Sequence, residues 1–266
     1  MCGIAGFSLS PASRANRTLA AQALLAAIAE RGADAVGYAY RSPESPYPTV
    51  VKQRTPASRL LERVSLPADT TQALVHVRDY TKGHPSIAAN NHPVRHGPVV
   101  GIHNGIIVND DELLAEHACA RAEPRMTVDS EAIFAVAAHS RNDARALELL
   151  HGSMATAWLD EREPELVFAA RGVGRPLWLG EGGDGVFFAS TRLALEVLER
   201  YGGLRLRKRE LSEGTLVELR AGEVTRRVDF RPLDFVEDDL LPGVRAPEER
   251  EHCLNRLATI AAAAAA

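Results

Sequence analysis

The chain has 266 residues, of which 45% are hydrophobic and 25% charged, a composition typical of one large or two small globular domains. The formal net charge is −4 at pH 7, so no global excess of positive charge points to nucleic acid or an anionic membrane as a partner. The three cysteines form no disulfide framework or zinc-binding spacing and indicate a reducing compartment. We therefore expect a cytoplasmic protein with no metal and no other cofactor.

The first part of the chain is predicted to contain one helix among short strands. Residues 2–9 alternate in polarity as a strand does, and residues 19–30 place their apolar side chains on one face of a helix. Turn-rich segments then separate three apolar runs that predict strands, which begin at Val36, Leu74 and Val99.

Two acidic segments in the middle of the chain predict the starts of helices. In residues 109–112 and 129–131, capping and acidic side chains precede an apolar run. The pattern then returns to strands, interrupted by a helix from Arg192 and ended by a hairpin over 215–228. Because strands and helices occur in blocks, a layered α+β fold is favoured over alternating βαβ units.

No internal repeat or linker divides the chain before about residue 231. We predict one domain over residues 2–235. Residues 236–266 are predicted to form a short C-terminal extension, either a segment that docks a partner or a tail whose run of alanines is of uncertain origin. A homo-oligomer is left open.

Short segments rich in polar side chains, most of which also contain glycine, stand out where strands should end. They are C-G-I-A-G from Cys2, R-G-A-D-A-V-G from Arg31, H-V-R-D-Y-T-K-G from His76, N-H-P from Asn91, H-N-G-I-I-V-N from His103 and V-D-S-E from Val128. Each segment alone has a structural explanation, such as a helix end at Gly32 or a hairpin turn at Asn104-Gly105.

Taken together and in this order, the segments resemble the glutaminase domain of class II, or N-terminal nucleophile, glutamine amidotransferases. The resemblance covers about residues 2–230 and is greatest to the glutaminase half of glucosamine-6-phosphate synthases. It implies the four-layer αββα sandwich of the Ntn hydrolases, in which two antiparallel sheets lie between helical layers.

The chemistry of amide hydrolysis gives a reason for a cysteine at position 2. A thiol is a strong nucleophile only as the thiolate, so a base must take its proton. A free α-amine titrates near ~7.7–8.0, and an N-terminal cysteine therefore carries its own general base. This requires the removal of Met1, after which Cys2 is the expected nucleophile.

The resemblance implies further catalytic roles. The side-chain amide of Asn104 and the backbone N–H of Gly105 would stabilise the oxyanion of the tetrahedral intermediate. Arg31 matches an arginine that braces the region of the nucleophile.

Glutamine also offers a free amino-acid end that the site must bind. Arg78 is the candidate for its α-carboxylate, because a guanidinium binds a carboxylate through two parallel hydrogen bonds. Asp129 is the candidate for its α-ammonium, and Thr81 could add a hydroxyl contact. His92, within a family motif, is assigned to substrate binding as well.

Two residues depart from the family pattern. Asp79 stands where relatives often carry an aromatic residue, and Lys82 stands where histidine or alanine is usual. Such charges beside the pocket would change the loop that closes over the substrate, or would shift specificity toward a γ-glutamyl compound.

Three functions are compatible with these patterns. The first is a glutaminase subunit that supplies ammonia to a separate synthase, since only about thirty residues follow the motif region. The second is a stand-alone hydrolase of a γ-glutamyl amide. The third is an inactive binding or regulatory module that retains Met1.

Overall fold

The structure, a computed structural model, describes residues 2–237 and 242–265. Its strands form two antiparallel sheets, and helices cover the outer face of each sheet. The predicted α+β class and four-layer αββα arrangement are therefore confirmed.

The strands determine the two middle layers. In chain order they are β1 (Gly3–Leu9), β2 (Ala35–Arg41), β3 (Thr49–Gln53), β4 (Gln72–Arg78), β5 (Val94–His96), β6 (Val99–Ile107), β7 (Gly152–Asp160), β8 (Leu166–Arg171), β9 (Trp178–Gly182), β10 (Gly185–Ala189), β11 (Arg207–Glu210), β12 (Thr215–Arg220) and β13 (Glu223–Asp229). The first sheet has the order β11-β9-β10-β1-β4-β2-β3 and the second the order β13-β12-β8-β7-β6-β5. The central strands β1 and β7 are buried at every residue, because each sheet has the other sheet on one face and helices on the other.

The helices form the outer layers. They are α1 (Arg17–Ile28), α2 (Ala57–Leu60), α3 (Asp110–Glu116), α4 (Glu131–Ser140), α5 (Arg192–Gly202) and α6 (Pro247–Ala265), with 3₁₀ segments at Ala29–Arg31, Leu61–Arg63, Ala88–Asn90 and Ala144–Leu149. Helices α1, α5 and α6 pack together over the first sheet, whereas α3 and α4 lie over the second. Helix α1 begins where the Asn16 side chain accepts a hydrogen bond from the backbone N–H of Leu19.

The alternation of side chains along β6 decides which residues face the other sheet. Val100 and Ile102 belong to the core between the sheets, whereas Val99 and Ile107 pack toward the helices. With a side-chain period of two, Asn104 continues the face of Ile102 and points between the sheets.

The two acidic segments mark helix starts as predicted, but their side chains are not the predicted caps. Asn109 instead joins two chain segments, since its Nδ2 donates to the carbonyl of Leu149 and its Oδ1 accepts from the N–H of His151, both at 2.9 Å. Ser130, which precedes α4, makes no capping hydrogen bond. Local sequence therefore located these helix starts, and tertiary contacts determined what the polar side chains bind.

The C-terminal helix α6 packs against the helical layer of the first sheet. Its Cys253 and Leu257 are completely buried. The Glu249 carboxylate accepts hydrogen bonds of 2.9 Å from both the backbone N–H and the hydroxyl of Ser58. The domain boundary at residue 235 stays a prediction, although the helix beyond it shares the core of the preceding chain. Among residues 2–237 and 242–265, no helix has the length and apolar character needed to span a membrane.

Candidate active site

A small cleft brings together six of the eight predicted site residues. They are Cys2, Arg78, Thr81, His92, Gly105 and Asp129. The pairing of β1 with β4 accounts for the first two, because Gly3 lies opposite Val77 and so Cys2 meets the end of β4. The other two predicted residues lie next to the cleft. Arg31 contacts the lining residue Cys2, and Asn104 directly precedes the lining residue Gly105.

Cys2 directly precedes β1, and hydrogen bonds hold both its thiol and its backbone carbonyl. Its sulfur donates a weak hydrogen bond to the carbonyl of Asp79 at 3.5 Å, and Arg31 Nε donates to the Cys2 carbonyl at 2.8 Å. Burial raises the pKa of the thiol, against an opposing effect of the nearby Arg78 charge. A neighbouring base is therefore needed to form the thiolate at neutral pH.

Arg78 places a buried cation in the cleft. Its Nη1 donates to Asn91 Oδ1 at 2.7 Å, and its Nη2 donates to the carbonyls of Lys82, at 2.9 Å, and Gly83. Burial lowers the pKa of the guanidinium, which still remains charged at neutral pH. Among residues 2–237 and 242–265, these contacts use three of its five N–H donors, which leaves donors for a carboxylate.

Asp129 supplies a buried carboxylate. Its Oδ2 accepts a hydrogen bond of 2.8 Å from the backbone N–H of Ile107. Burial raises the pKa of Asp129 to about 6, and the nearby Asp110 acts in the same direction. At pH 7 the carboxylate is ionised although it lies in a poorly solvated place, so a bound ammonium group would compensate for the buried charge.

Asn104 is completely buried, and within the described residues neither its Oδ1 nor its Nδ2 has a hydrogen-bond partner. Leaving a buried polar group without a partner costs about 1–3 kcal/mol. Such an orphaned amide is typical of a site whose partner is a ligand. Asn104 continues the face of Ile102 and lies between the sheets, next to the cleft residue Gly105.

Gly105 allows two strands to approach closely beside the cleft. Its φ is +143°, and a Cβ built there would lie 1.9 Å from the carbonyl oxygen of Ser153 and 2.8 Å from His103 Nε2. Only glycine fits this conformation without displacing the backbone.

Replacing Gly105 with alanine is therefore expected to lower the free energy of unfolding by about 2–4 kcal/mol, because backbone strain adds to the clash with β7. Urea unfolding of the variant measures this loss. Gly183→Ala is the matched control, since a Cβ at Gly183 meets nothing within 4 Å. Equal stability of the two variants would contradict the close approach at Gly105.

Two buried histidines, His103 in the cleft lining and His76 next to it, were not among the predicted site residues. His103 Nδ1 lies 2.9 Å from the Ser130 hydroxyl and its Nε2 lies 3.3 Å from the Ser153 carbonyl, while His76 Nε2 lies 3.0 Å from the His103 carbonyl. Burial lowers the pKa of both rings to about 3. Both are neutral, and each carries its proton on Nε2 because a carbonyl can only accept.

His76 also supports a predicted substrate residue. Its ring stacks on that of His92 with 4.1 Å between the ring centroids. Burial lowers the pKa of His92 well below its usual value, and neither of its ring nitrogens has a partner among the described residues. One signal in the sequence could have indicated His76. It lies two residues before the predicted substrate residue Arg78, in the segment H-V-R-D.

The two charged residues that depart from the family pattern each bind a different part of the chain. Asp79 Oδ2 lies 3.1 Å from Arg245 Nε of the C-terminal segment. Lys82 Nζ lies 2.6 Å from Asp110 Oδ1 and 3.1 Å from Asp111 Oδ2 of α3. Both side chains are thus engaged at the edges of the cleft.

Known sequences are similar to part of this chain. A family model described as a glutamine amidotransferase domain matches residues 78–197. The glutamine–fructose-6-phosphate aminotransferase (isomerizing) of Rhizobium meliloti is 35% identical over 146 residues, which are 52% of this chain and 23% of the relative. The corresponding enzyme of Listeria monocytogenes is 30% identical over 172 residues, covering 62% of this chain and 28% of its own length. The chain thus spans about a quarter of the length of these curated relatives.

Solved structures share the fold at low sequence identity. The glutamine phosphoribosylpyrophosphate amidotransferase from B. subtilis, complexed with ADP and GMP, aligns with a TM-score of 0.66 and 20% identity over 86% of this chain and 49% of its own. A glutamine aminotransferase class-II domain protein from Silicibacter pomeroyi aligns with a TM-score of 0.55 and 18% identity over 87% of this chain and 100% of its own. The match to the family model begins at residue 78, so Cys2 and Arg31 lie outside that match. Residues 78–197 thus resemble a glutamine amidotransferase domain, and the chain shares the fold of the amidotransferase and the class-II domain protein with which it aligns.

Proposed function

We propose that the chain hydrolyses the side-chain amide of glutamine through a thioester on Cys2 and supplies the ammonia to a separate synthase. The observation that carries the proposal is the cleft itself, in which a thiol, a buried guanidinium and a buried carboxylate converge from distant parts of the chain. The names of the curated relatives support glutamine as the nitrogen donor. A cytoplasmic location remains part of the proposal.

The first half of the proposed reaction forms the thioester. Once Met1 has been removed, the α-amine of Cys2 takes the thiol proton, and the thiolate attacks the side-chain amide carbon of glutamine. The Asn104 amide and the Gly105 N–H stabilise the oxyanion. The C–N bond then breaks as the amine returns its proton to the leaving nitrogen, which departs as ammonia.

The second half regenerates the enzyme. Water attacks the thioester carbon while the amine accepts its proton, and the C–S bond breaks to release glutamate and the Cys2 thiol. Throughout, Arg78 binds the α-carboxylate and Asp129 binds the α-ammonium, with Thr81 and His92 beside them. Arg31 keeps the Cys2 carbonyl in place and so directs the thiol into the cleft.

The contacts of Asp79 and Lys82 favour glutamine over a larger γ-glutamyl compound. Both side chains are neutralised by groups at the edges of the cleft, so neither is an unpaired charge that would select a charged extension on the substrate. A separate synthase as ammonia acceptor is proposed because free ammonia as the final product would waste the amide of glutamine.

Two measurements test the proposal. Intact mass spectrometry reports whether Met1 has been removed, and a coupled assay reports ammonia release from glutamine and from γ-glutamyl amides. We expect a mass without Met1 and release from glutamine. A retained Met1 together with no release would favour a binding or regulatory module, and release only from γ-glutamyl amides would favour the stand-alone hydrolase.

The affinity for glutamine is expected to fall in acid as Asp129 is protonated. Because the pKa of Asp129 is about 6, its carboxylate is mostly charged at pH 7 and becomes mostly neutral below pH 6. The dissociation constant should rise by up to about tenfold for each pH unit below 6. Calorimetric titration of the Cys2→Ala variant between pH 5 and 7.5 measures it without turnover. A constant affinity over this range would show that Asp129 does not bind the ammonium.

A further inference from the structure

The loop of residues 79–83, called here the glutamine loop, is fastened at both ends. At its start Asp79 forms the ion pair with Arg245. At its end Lys82 binds Asp110 and Asp111; partial burial opposes its charge, but these hydrogen bonds outweigh the burial and raise the pKa of the ammonium. Because the loop directly follows Arg78 and contains Thr81, its position determines the geometry of the proposed carboxylate site.

Arg245 is itself held firmly by the chain around it. The backbone N–H groups of Arg245 and Ala246 donate to the carbonyl of Glu30 at 2.8 and 2.9 Å, and Arg250 binds the Glu30 carboxylate at 2.9 Å. Glu30 precedes Arg31, whose guanidinium holds the Cys2 carbonyl. The C-terminal segment thus connects the glutamine loop with the support of the nucleophile.

A second residue of the C-terminal segment contacts residues next to the cleft. The Glu237 carboxylate binds Arg175 and accepts a hydrogen bond from the Ser153 hydroxyl. Ser153 lies beside the backbone N–H of Ile106 and beside the His103 ring. Two separate contacts therefore connect residues beyond position 235 to the glutamine loop and to Ser153, which contacts the cleft residue His103.

We propose that Arg245 is a positioning residue, which holds the glutamine loop in its substrate-binding form before glutamine arrives. This proposal rests on the proposed function of the same cleft. The ion pair is only partly exposed, with side-chain exposures of 39% for Arg245 and 16% for Asp79. When a loop is already ordered before its ligand binds, less of the binding free energy is lost in ordering the loop. The C-terminal segment would then be part of the glutamine site, although its residues lie outside the family match at 78–197.

The test compares Arg245→Met and Arg245→Lys with an ion-pair control. The control is Arg226→Met, which removes an ion pair of 3.1 Å to Glu218 on the hairpin of β12 and β13. Hydrogen–deuterium exchange of the free protein reports the opening of the loop, chiefly through the Tyr80 N–H, which donates to Asp34 Oδ2 at 2.9 Å. Steady-state ammonia release separates KM from kcat.

For Arg245→Met we expect loop exchange and KM for glutamine each to rise about two- to fivefold, with kcat nearly unchanged, as for the loss of one partly exposed ion pair. Arg245→Lys should restore most of both values, and Arg226→Met should match the wild type. Loop exchange equal to that of the control would overturn the proposal. So would a rise in exchange that extends over α1 and α6, because that would indicate general destabilisation.

The two measurements, loop exchange and ammonia release, distinguish a failure of this proposal from a failure of the proposed function. If the wild-type protein releases no ammonia, the proposed function fails, while exchange of the glutamine loop still decides whether Arg245 holds it. If the wild type is active and Arg245→Met changes neither loop exchange nor KM, only the positioning role fails.

Discussion

Replacing Cys2 with alanine is expected to reduce ammonia release from glutamine by at least about 10⁴-fold, since loss of a covalent nucleophile removes the whole thioester route. Alanine keeps the backbone whose carbonyl Arg31 binds, so the cleft should remain intact. Glutamine should therefore still bind the variant. The measurement is a coupled ammonia assay together with calorimetric titration.

Cys119→Ala is the matched control for this prediction. Cys119 is also a free, partly buried cysteine, but it follows α3 and does not line the cleft. Its replacement should leave ammonia release unchanged, and iodoacetamide should inactivate both this variant and the wild type. Substantial glutaminase activity in Cys2→Ala would refute the assignment of the nucleophile.

Replacing Asp129 with asparagine is expected to weaken glutamine binding and to stabilise the fold. The variant keeps an oxygen that can accept from the Ile107 N–H but has no charge for the α-ammonium. Loss of a buried charge pair typically costs about 2–5 kcal/mol of binding free energy. The dissociation constant for glutamine in the Cys2→Ala background measures this effect.

The expected gain in stability follows from the raised pKa of Asp129. Because the folded-state pKa of about 6 exceeds the unfolded value, the wild-type protein loses stability as the pH rises from about 4 through 6, where the folded state must release a proton. Asparagine avoids this cost because it has no proton to release. At pH 7 the free energy of unfolding of Asp129→Asn should therefore exceed that of the wild type by about 1–3 kcal/mol. Below about pH 4 the difference should disappear.

Urea unfolding at pH 4 and pH 7 tests the stability of Asp129→Asn. The control is Asp229→Asn, because the Asp229 side chain is 84% exposed and should not change stability at either pH. A variant that is less stable than the wild type at pH 7 would show that the Asp129 carboxylate contributes more to the fold by its contacts than its burial costs.

Much of the architecture follows from local patterns in the sequence. Alternating polarity over residues 2–9 predicted the strand that became β1, and apolar spacing from residue 19 predicted α1, because strand and helix periods are properties of neighbouring residues. The ordered motifs likewise indicated Cys2, Arg78 and Asp129 as candidate site residues before any contact was known. The structure places these three in one cleft.

Other features depend on contacts between residues far apart in the chain. Neither the stacking of His76 on His92 nor the ion pair of Asp79 with Arg245, 166 positions away, follows from periodicity. The pKa of Asp129 depends in the same way on which elements enclose it. The sequence by itself determined the order of the elements and indicated Cys2 as the expected nucleophile, because both depend on residues close together in the chain. Only the tertiary structure decided which side chains are buried, neutral or paired, because burial and long-range contact arise when distant strands and helices pack together.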